Sequence, residues 1–193
     1  NGYYEATGLP PVGYRVQGWF EKEYRGQRYC LRLGHNSASD YSPINPAEGV
    51  TKDLLWQLQG RIYDIEVYSD MGYFGGSVSV MNEYSSPARN LPLEFTLTPT
   101  EPLIDGSTGK TLVLKPNAEG YLMDIPVGVY KVTATLNGQS ISVGSTSSNL
   151  SHEATLEFPG GGTCKGNMSS GVGRAYLYWG EGGGYSSTEN PLN

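Results

Sequence analysis

Apolar and polar residues alternate along many short stretches of this chain. The clearest stretch is residues 129–136, where Tyr130, Val132, Ala134 and Leu136 fall on one face of an extended backbone and polar residues lie between them. Alternation with a period of two is typical of a strand that has one buried and one solvent-facing side. The sequence therefore predicts a half-buried β-strand here.

Similar runs predict further strands at residues 14–23, 27–33, 60–69, 76–82, 93–99, 110–115, 140–143, 153–158 and 174–179. Dipeptides that end in glycine separate several of them, namely Arg25-Gly26, Asp105-Gly106, Glu119-Gly120 and Asn137-Gly138. An Asn-Gly pair between two alternating runs is the strongest of these signals, because both residues accept the positive φ angles of a tight hairpin turn. We therefore predict a β-hairpin around Asn137-Gly138.

One stretch, residues 46–58, favours a short helix. Pro46 after Asn45 can start a turn, and Thr51 is placed to cap residues 52–59. A strand is the alternative for the same residues. Together with the alternating runs, this predicts an all-β fold of one or two antiparallel β-sandwich domains with at most one short helix.

Two stretches rich in Ser, Pro or Gly, residues 85–92 and 159–163, interrupt the strand pattern. They bracket residues 91–159, a segment of small-domain size. We predict that this segment is one β-sandwich domain. Residues 1–90 plus 160–193 are predicted to form an outer β-sandwich domain that the C-terminal strand closes.

Residues 108–143 carry a specific order of strands and turns. A strand leads to a polar turn ending at Gly120, then come a short apolar strand, a turn after Pro126, and Tyr130 at the start of the next strand. With this signature the segment 91–159 resembles the transthyretin-like or carboxypeptidase-regulatory-like domains, which are small prealbumin-type β-sandwiches. The resemblance implies an accessory or adhesive module without catalytic residues. We also expect the Tyr130 ring to plug one end of the sandwich.

The composition agrees with short strands joined by tight turns: the 193 residues include 27 Gly, 12 Pro and 15 Tyr, and 17% are charged. A formal net charge of -6 opposes binding to phosphate backbones, so we expect no nucleic-acid partner. No apolar run approaches the roughly 20 residues that cross a bilayer, and we expect no membrane insertion. No charged-then-apolar signal segment precedes Asn1, so we expect this to be the mature form if the chain is exported.

The two cysteines, Cys30 and Cys164, are far apart and form no metal-binding pair of the C-x-x-C type. Asn149 and Asn167 begin Asn-x-Ser sequons and are candidates for N-glycosylation. We interpret the cysteines as one long-range disulfide in an extracellular or cell-surface protein. The alternative is two buried free thiols in a reduced compartment.

Candidate catalytic groups are few. The chain has two histidines, it lacks a G-x-S-x-G motif, and its acidic residues lack a local apolar setting that would raise a pKa. His35 lies near Ser37, Ser39 and Asp40, and we interpret it as a solvated loop histidine. We therefore predict that the chain is not an enzyme and has no catalytic residues and no cofactor.

Asp64, Glu66 and Asp70 are weak candidates for calcium ligands, since carboxylate oxygens are the donors that this ion prefers. Alternate residues of a strand share a face, which would bring the first two together. The alternative is the outward polar face of an edge strand.

Aromatic residues are the better candidates for a binding or assembly surface. Tyr176 and Tyr178 share one face of a predicted strand, and Trp179 lies on the other. The full candidate set is Tyr3, Tyr4, Tyr176, Tyr178, Trp179 and Tyr185. Such rings bind sugar faces or fill interfaces between identical subunits, and the alternative is that they belong to the core.

These patterns lead to two hypotheses for function. In the first, the chain is a non-catalytic structural subunit of an extracellular filament, pilus-like fibre or surface assembly, and its main partner is itself. Residues 1–7 or 181–193 would then add as a strand to the sheet edge of a neighbour. In the second, the chain is a carbohydrate-binding or adhesive accessory module of a larger secreted protein.

Overall fold

The computed structural model describes residues 2–68, 71–165 and 172–180. In these ranges the chain forms twelve strands and two 3₁₀ turns, Ala38–Tyr41 and Pro46–Glu48. The strands are β1 (Trp19–Tyr24), β2 (Gln27–Gly34), β3 (Leu55–Trp56), β4 (Gly76–Asn82), β5 (Leu93–Pro99), β6 (Leu112–Leu114), β7 (Tyr121–Ile125), β8 (Tyr130–Leu136), β9 (Gln139–Thr146), β10 (Asn149–Ser151), β11 (Ala154–Leu156) and β12 (Ala175–Gly180). The predicted all-β fold class is confirmed.

The predicted hairpin at Asn137-Gly138 is also confirmed. Asn137 has φ 52° and Gly138 has φ 79°, and the flanking residues Leu136 and Gln139 pair across the turn. Positive φ at both central residues matches the right-handed twist of the two strands. The turn between β1 and β2 is also a two-residue turn with positive φ angles, 50° at Arg25 and 73° at Gly26.

The main sheet is mixed and runs in the order β6-β5-β8-β9-β12-β4-β7, with β10 beside β9 and β11 beside β8. Its turning point is β9. The first part of β9 pairs with β8 through Ile141, and the following residues pair with β12 through Val143 and Gly144. One strand thus belongs to both halves of the sheet, which gives a sandwich-like arrangement.

The core lies between these two halves. Alternate side chains of β5, β8 and β12 point into it: Leu93, Phe95, Leu97, Tyr130, Val132, Ala134, Ala175, Leu177 and Trp179. Burial of each large apolar side chain contributes about 1.5–3 kcal/mol. Tyr130 is 1% exposed and its hydroxyl donates to the Pro126 carbonyl at 2.7 Å.

The core also draws on strands outside residues 91–159. Val78 and Val80 of β4 and Leu177 of β12 lie in the same cluster as Leu93 and Val132. The ladders between β4 and β7 and between β9 and β12 therefore cross the predicted domain boundaries. The division into 91–159 and 1–90 plus 160–193 stays a prediction.

A smaller sheet, in the order β1-β2-β3, packs against the main core through Tyr29 and Leu31 of β2. The segment after β11 holds it in place: the Gly162 N–H donates to the Arg28 carbonyl at 3.0 Å. A disulfide joins Cys30 to Cys164 across a sequence separation of 134. The predicted disulfide is confirmed, and the alternative of two free thiols is wrong.

The short helix expected within residues 46–58 is wrong in its extent. The Asn45 side chain accepts from the Ala47 N–H at 3.1 Å, and the resulting turn ends at Glu48. Leu55 and Trp56 then pair with Gly34 and Leu33, which requires an extended backbone. The strand alternative describes these two residues better.

Other expected strands also differ from the prediction, and those at residues 110–115 and 153–158 shorten to Leu112–Leu114 and Ala154–Leu156. The strand expected from residue 14 begins at Trp19, since Tyr14 makes only an isolated bridge to Ile44. The strand expected at residues 60–69 is absent from the described part of that segment. There the chain turns back on itself, with Arg61 bridged to Tyr73.

Candidate assembly surface

His35 is buried and has a structural position. The residue is only 5% exposed. Its Nε2 atom lies 2.9 Å from the Val16 carbonyl oxygen, and its Nδ1 atom lies 3.3 Å from the Asp53 carbonyl oxygen. The ring packs edge-on against Tyr41. The interpretation of His35 as a solvated loop histidine is therefore wrong.

Ser37 and Asp40 form a separate polar cluster. The Ser37 hydroxyl and the Lys52 ammonium both donate to the Asp40 carboxylate, at 2.8 and 2.9 Å. These two hydrogen bonds, that of Lys52 first, hold the pKa of Asp40 below its ordinary value. The structure does not bring this cluster into contact with the His35 ring nitrogens.

Asp64 lies in a buried ion pair. Its carboxylate accepts from Arg32 Nη2 at 2.6 and 2.7 Å and from Gln17 Nε2 at 2.6 Å, and the Arg32 and Asp64 side chains are each 3% exposed. Burial raises the pKa of Asp64, but the hydrogen bonds from Gln17 and Arg32 outweigh it and lower that pKa overall.

These contacts correct the calcium interpretation for Asp64, because both of its oxygens are already engaged. Glu66 is exposed, and Asp70 lies outside the described residues. No group of three His, Cys, Asp or Glu side chains in the described ranges could hold a metal ion.

Asp124 is a half-buried acid that was not among the predicted site residues. It sits in a β-bulge of β7 with φ 58°, and its carboxylate accepts from the Gly60 N–H at 2.9 Å and the Gly75 N–H at 3.2 Å. Burial raises the pKa of Asp124, although the two backbone hydrogen bonds oppose that shift. The apolar neighbours Leu122 and Ile125 were the available signal.

The predicted aromatic surface is only partly exposed. Tyr3 and Tyr4 are 87% and 88% exposed, and Tyr176 is 44% exposed. The prediction that Trp179 belongs to this surface is wrong. Trp179 is 8% exposed and lies in the core, because it shares the inward face of β12 with Leu177. Tyr185 lies outside the described residues.

Of the two sequons, the described residues include only the one that begins at Asn149. Asn149 is exposed on β10, whereas Asn167 lies outside the described residues. Asn149 is therefore accessible in the fold, and its glycosylation stays a prediction.

The N-terminal arm, defined as residues 2–13, is exposed along its whole length. Its one backbone hydrogen bond within the described residues joins the Val12 N–H to the Pro10 carbonyl at 2.8 Å. The first backbone pairing with the body of the protein comes at Tyr14, which exchanges two hydrogen bonds with Ile44. The arm thus presents its side chains, including Tyr3 and Tyr4, to the surroundings.

A second feature is the tyrosine face, defined by Tyr121, Tyr176 and Tyr178 on the outer side of the main sheet. Tyr176 is exposed, whereas Tyr121 and Tyr178 are half-buried, and the Arg174 guanidinium lies 5.2 Å from the Tyr121 ring centroid. Register places Tyr176 of β12 beside Ser79 of β4, and Ser79 beside Tyr121 of β7. Ser79 is 5% exposed despite its outward position. Tyr178, two residues from Tyr176, shares the outer side of β12.

Comparisons with known proteins add no family to this picture. The chain matches no protein-family model, no curated protein and no solved structure. The sandwich-like all-β fold is established, and the transthyretin-like resemblance of residues 91–159 stays a prediction. In the described ranges, no helix has the length and apolar character needed to cross a membrane.

Proposed function

We propose that this chain is a non-catalytic structural subunit of an extracellular filament, pilus-like fibre or surface assembly, held together by edge-strand and aromatic contacts between copies. The observation that carries the proposal is the N-terminal arm. Within the described residues its apolar side chains are largely exposed: Tyr3 by 87%, Tyr4 by 88% and Val12 by 57%, with Leu9 at 39%.

Covering such side chains stabilises a contact between subunits. Burial of one large apolar side chain contributes about 1.5–3 kcal/mol, and aromatic residues are enriched at protein interfaces. An extended arm also has free N–H and C=O groups, which a sheet edge can satisfy. Both features suit a segment that packs on a neighbouring copy.

An extracellular location fits the Cys30–Cys164 disulfide, because such bonds persist in oxidising compartments. The net charge of -6 keeps single copies apart unless a specific contact joins them. The proposal assigns no reaction to His35 or Asp64, whose polar atoms are engaged in internal contacts.

Sedimentation velocity tests the proposal directly. We expect the full chain to form large particles and a chain without residues 2–9 to sediment as single copies. Tyr3→Ala with Tyr4→Ala should weaken assembly, whereas Tyr68→Ala, which removes a 71% exposed tyrosine elsewhere, should not. Unchanged assembly after the deletion would contradict the proposal.

The second candidate is a carbohydrate-binding or adhesive module, and the tyrosine face favours it. Two tyrosines on either side of Ser79 offer rings about 10 Å apart, given the usual spacing of neighbouring strands. Aromatic rings on a sheet face can stack on sugars. A glycan array comparing the full chain with Tyr176→Ala and with Tyr68→Ala tests this: binding lost only in the first variant would favour the module.

A further inference from the structure

The ladder between β1 and β2 fixes which backbone groups of β1 point at its partner. In a hairpin with a two-residue turn, the residues that flank the turn form a hydrogen-bonded pair, and here these are Tyr24 and Gln27. Hydrogen-bonded pairs alternate along an antiparallel ladder, so Lys22 and Tyr29 form the next one.

The far end of the ladder agrees with this alternation. The Leu33 N–H donates to the Gly18 carbonyl at 2.8 Å, which continues the series of even-numbered residues on the β1 side. The backbone N–H and C=O groups of Glu21 and Glu23 therefore point away from β2, to the open edge of the small sheet. Both residues are exposed, and no backbone hydrogen bond from residues 2–68, 71–165 or 172–180 reaches these groups. The Glu21 side chain accepts from the Cys164 N–H at 3.1 Å, and its backbone N–H and C=O stay open in these ranges.

This edge is the longest one among the described strands. β1 has six residues, whereas the edge strands β3, β6, β10 and β11 have two or three. The edge strand β7 has five residues but is interrupted by the bulge at Asp124. A bulge and short length both protect an edge against pairing, and β1 has neither.

Two β1 strands are poorly suited to pair with each other. If two β1 strands pair antiparallel through their outward backbone groups, the two-fold axis falls at Glu21 or at Lys22. Glu21 then lies opposite Glu21 of the second copy, or Lys22 lies opposite Lys22. Like charges directly opposite each other are destabilising. The charges of β1 thus disfavour a symmetric contact and leave the edge to a strand of different sequence.

The N-terminal arm supplies such a strand. Residues 3–7, Tyr-Tyr-Glu-Ala-Thr, are exposed, are one residue shorter than β1 and include three residues that favour strands. Tyr3 and Tyr4 are consecutive, so in any register one of them lies on the side that carries Phe20 and Tyr24. Aromatic pairs across neighbouring strands stabilise a sheet.

We propose that β1 is the acceptor edge of the assembly: the N-terminal arm of a second copy pairs along it and bonds to the outward backbone groups of Glu21 and Glu23. This inference rests on the proposed assembly function and names the two surfaces that meet. The contact is heterologous, since a donor arm meets a different surface on its neighbour. Repetition of such a contact gives a ring or an open filament.

The matched variants at Glu23 test the acceptor edge. Glu23→Pro removes the outward N–H and leaves the bonds of β1 to β2 in place, whereas Glu23→Ala keeps that N–H. We expect Glu23→Pro to raise the concentration needed for assembly at least about tenfold and Glu23→Ala to leave it nearly unchanged. Equal assembly of the two variants would overturn the acceptor assignment.

A mixing experiment separates this inference from the proposed function. The Glu23→Pro chain keeps a donor arm, and a chain without residues 2–9 keeps an open β1 edge. At a concentration where the full chain assembles but the Glu23→Pro chain is still below its own threshold, each variant alone should stay a single copy in sedimentation velocity, and their mixture should give a 1:1 dimer and nothing larger. If the deletion blocks assembly but the Glu23→Pro chain assembles, the function stands and the acceptor edge is wrong. If the full chain never assembles, both fail.

Hydrogen exchange on the unaltered chain covers the case in which Glu23→Pro does not fold. Upon assembly the Glu21 and Glu23 amides should exchange at least about tenfold more slowly than in the chain without residues 2–9. The inward amides of Lys22 and Tyr24 should be protected in both samples. Unchanged exchange at Glu21 and Glu23 in assembled material would overturn the inference.

Discussion

The Tyr29 hydroxyl donates a hydrogen bond of 2.6 Å to the Phe158 carbonyl, 129 residues further along the chain. Both side chains are almost fully buried, and burial raises the pKa of Tyr29 to about 12, so the hydroxyl keeps its proton near neutral pH. This bond ties the small sheet, which carries β1, to the main core.

Tyr29→Phe should therefore destabilise the protein by about 1–3 kcal/mol, because the buried Phe158 carbonyl loses its hydroxyl donor. Urea unfolding measures the change. Tyr68→Phe removes an exposed hydroxyl and serves as the control, with an expected change within about 0.5 kcal/mol. Equal stabilities of the two variants would show that the bond does not hold the sheets together.

The disulfide should stabilise the same junction. Replacing Cys30 and Cys164 by Ser together should lower the free energy of unfolding by up to about 5 kcal/mol, since the bond closes a separation of 134 residues in the unfolded chain. Thermal unfolding with and without a reducing agent checks this. The reducing agent should lower the Tm of the natural chain and leave that of the double variant unchanged.

The buried Arg32–Asp64 pair should be sensitive to the loss of one partner. Asp64→Ala leaves the Arg32 guanidinium buried without its counter-charge and should cost about 3–5 kcal/mol. Glu66→Ala, on an exposed residue, is the control. Added calcium should not shift the Tm of the natural chain, and a clear upward shift that Asp64→Ala abolishes would restore the calcium interpretation.

Asp124 should make stability depend on pH. Its pKa in the fold is raised above the ordinary 3.8, so its contribution is fully present below about pH 3.8 and is lost as the pH rises through the raised value. Asp124→Asn keeps an oxygen that accepts from Gly60 and Gly75 and carries no charge. It should be more stable than the natural chain at neutral pH, and this gain should shrink as the pH falls through the raised pKa and be lost below about pH 3.8.

Urea unfolding between pH 3 and pH 8 measures that difference, with the exposed Asp105→Asn as control. A gain for Asp124→Asn that does not change with pH would contradict the titration argument. Asp124→Ala, which removes the acceptor for two backbone N–H groups, should be destabilised by about 1–3 kcal/mol at any pH.

Much of the fold was predictable from local pattern. The strands at residues 76–82 and 93–99 have the predicted bounds, and the Asn137-Gly138 hairpin forms as expected. In each case a period-two pattern or a turn dipeptide carries the information within a few residues. The pairing of Cys30 with Cys164 was also within reach, since no third cysteine competes.

The structural roles of His35 and Asp64 could not be predicted, because they depend on partners far along the chain. His35 is buried between the carbonyls of Val16 and Asp53, and Asp64 is engaged by Arg32, and no local pattern shows these contacts. Trp179 is predicted to belong to the binding surface, but it lies two residues from Leu177, and alternate residues of a strand share a face. Both side chains belong to the core. The open edge of β1 required the observed pairing of β1 with β2 before its outward groups could be assigned.

Electron microscopy of the full chain at increasing concentration would show whether copies of the chain assemble through the N-terminal arm. We expect particles that lengthen with a regular repeat as the concentration rises, and that are absent when residues 2–9 are removed. Single copies at every concentration, or identical particles with and without those residues, would contradict it.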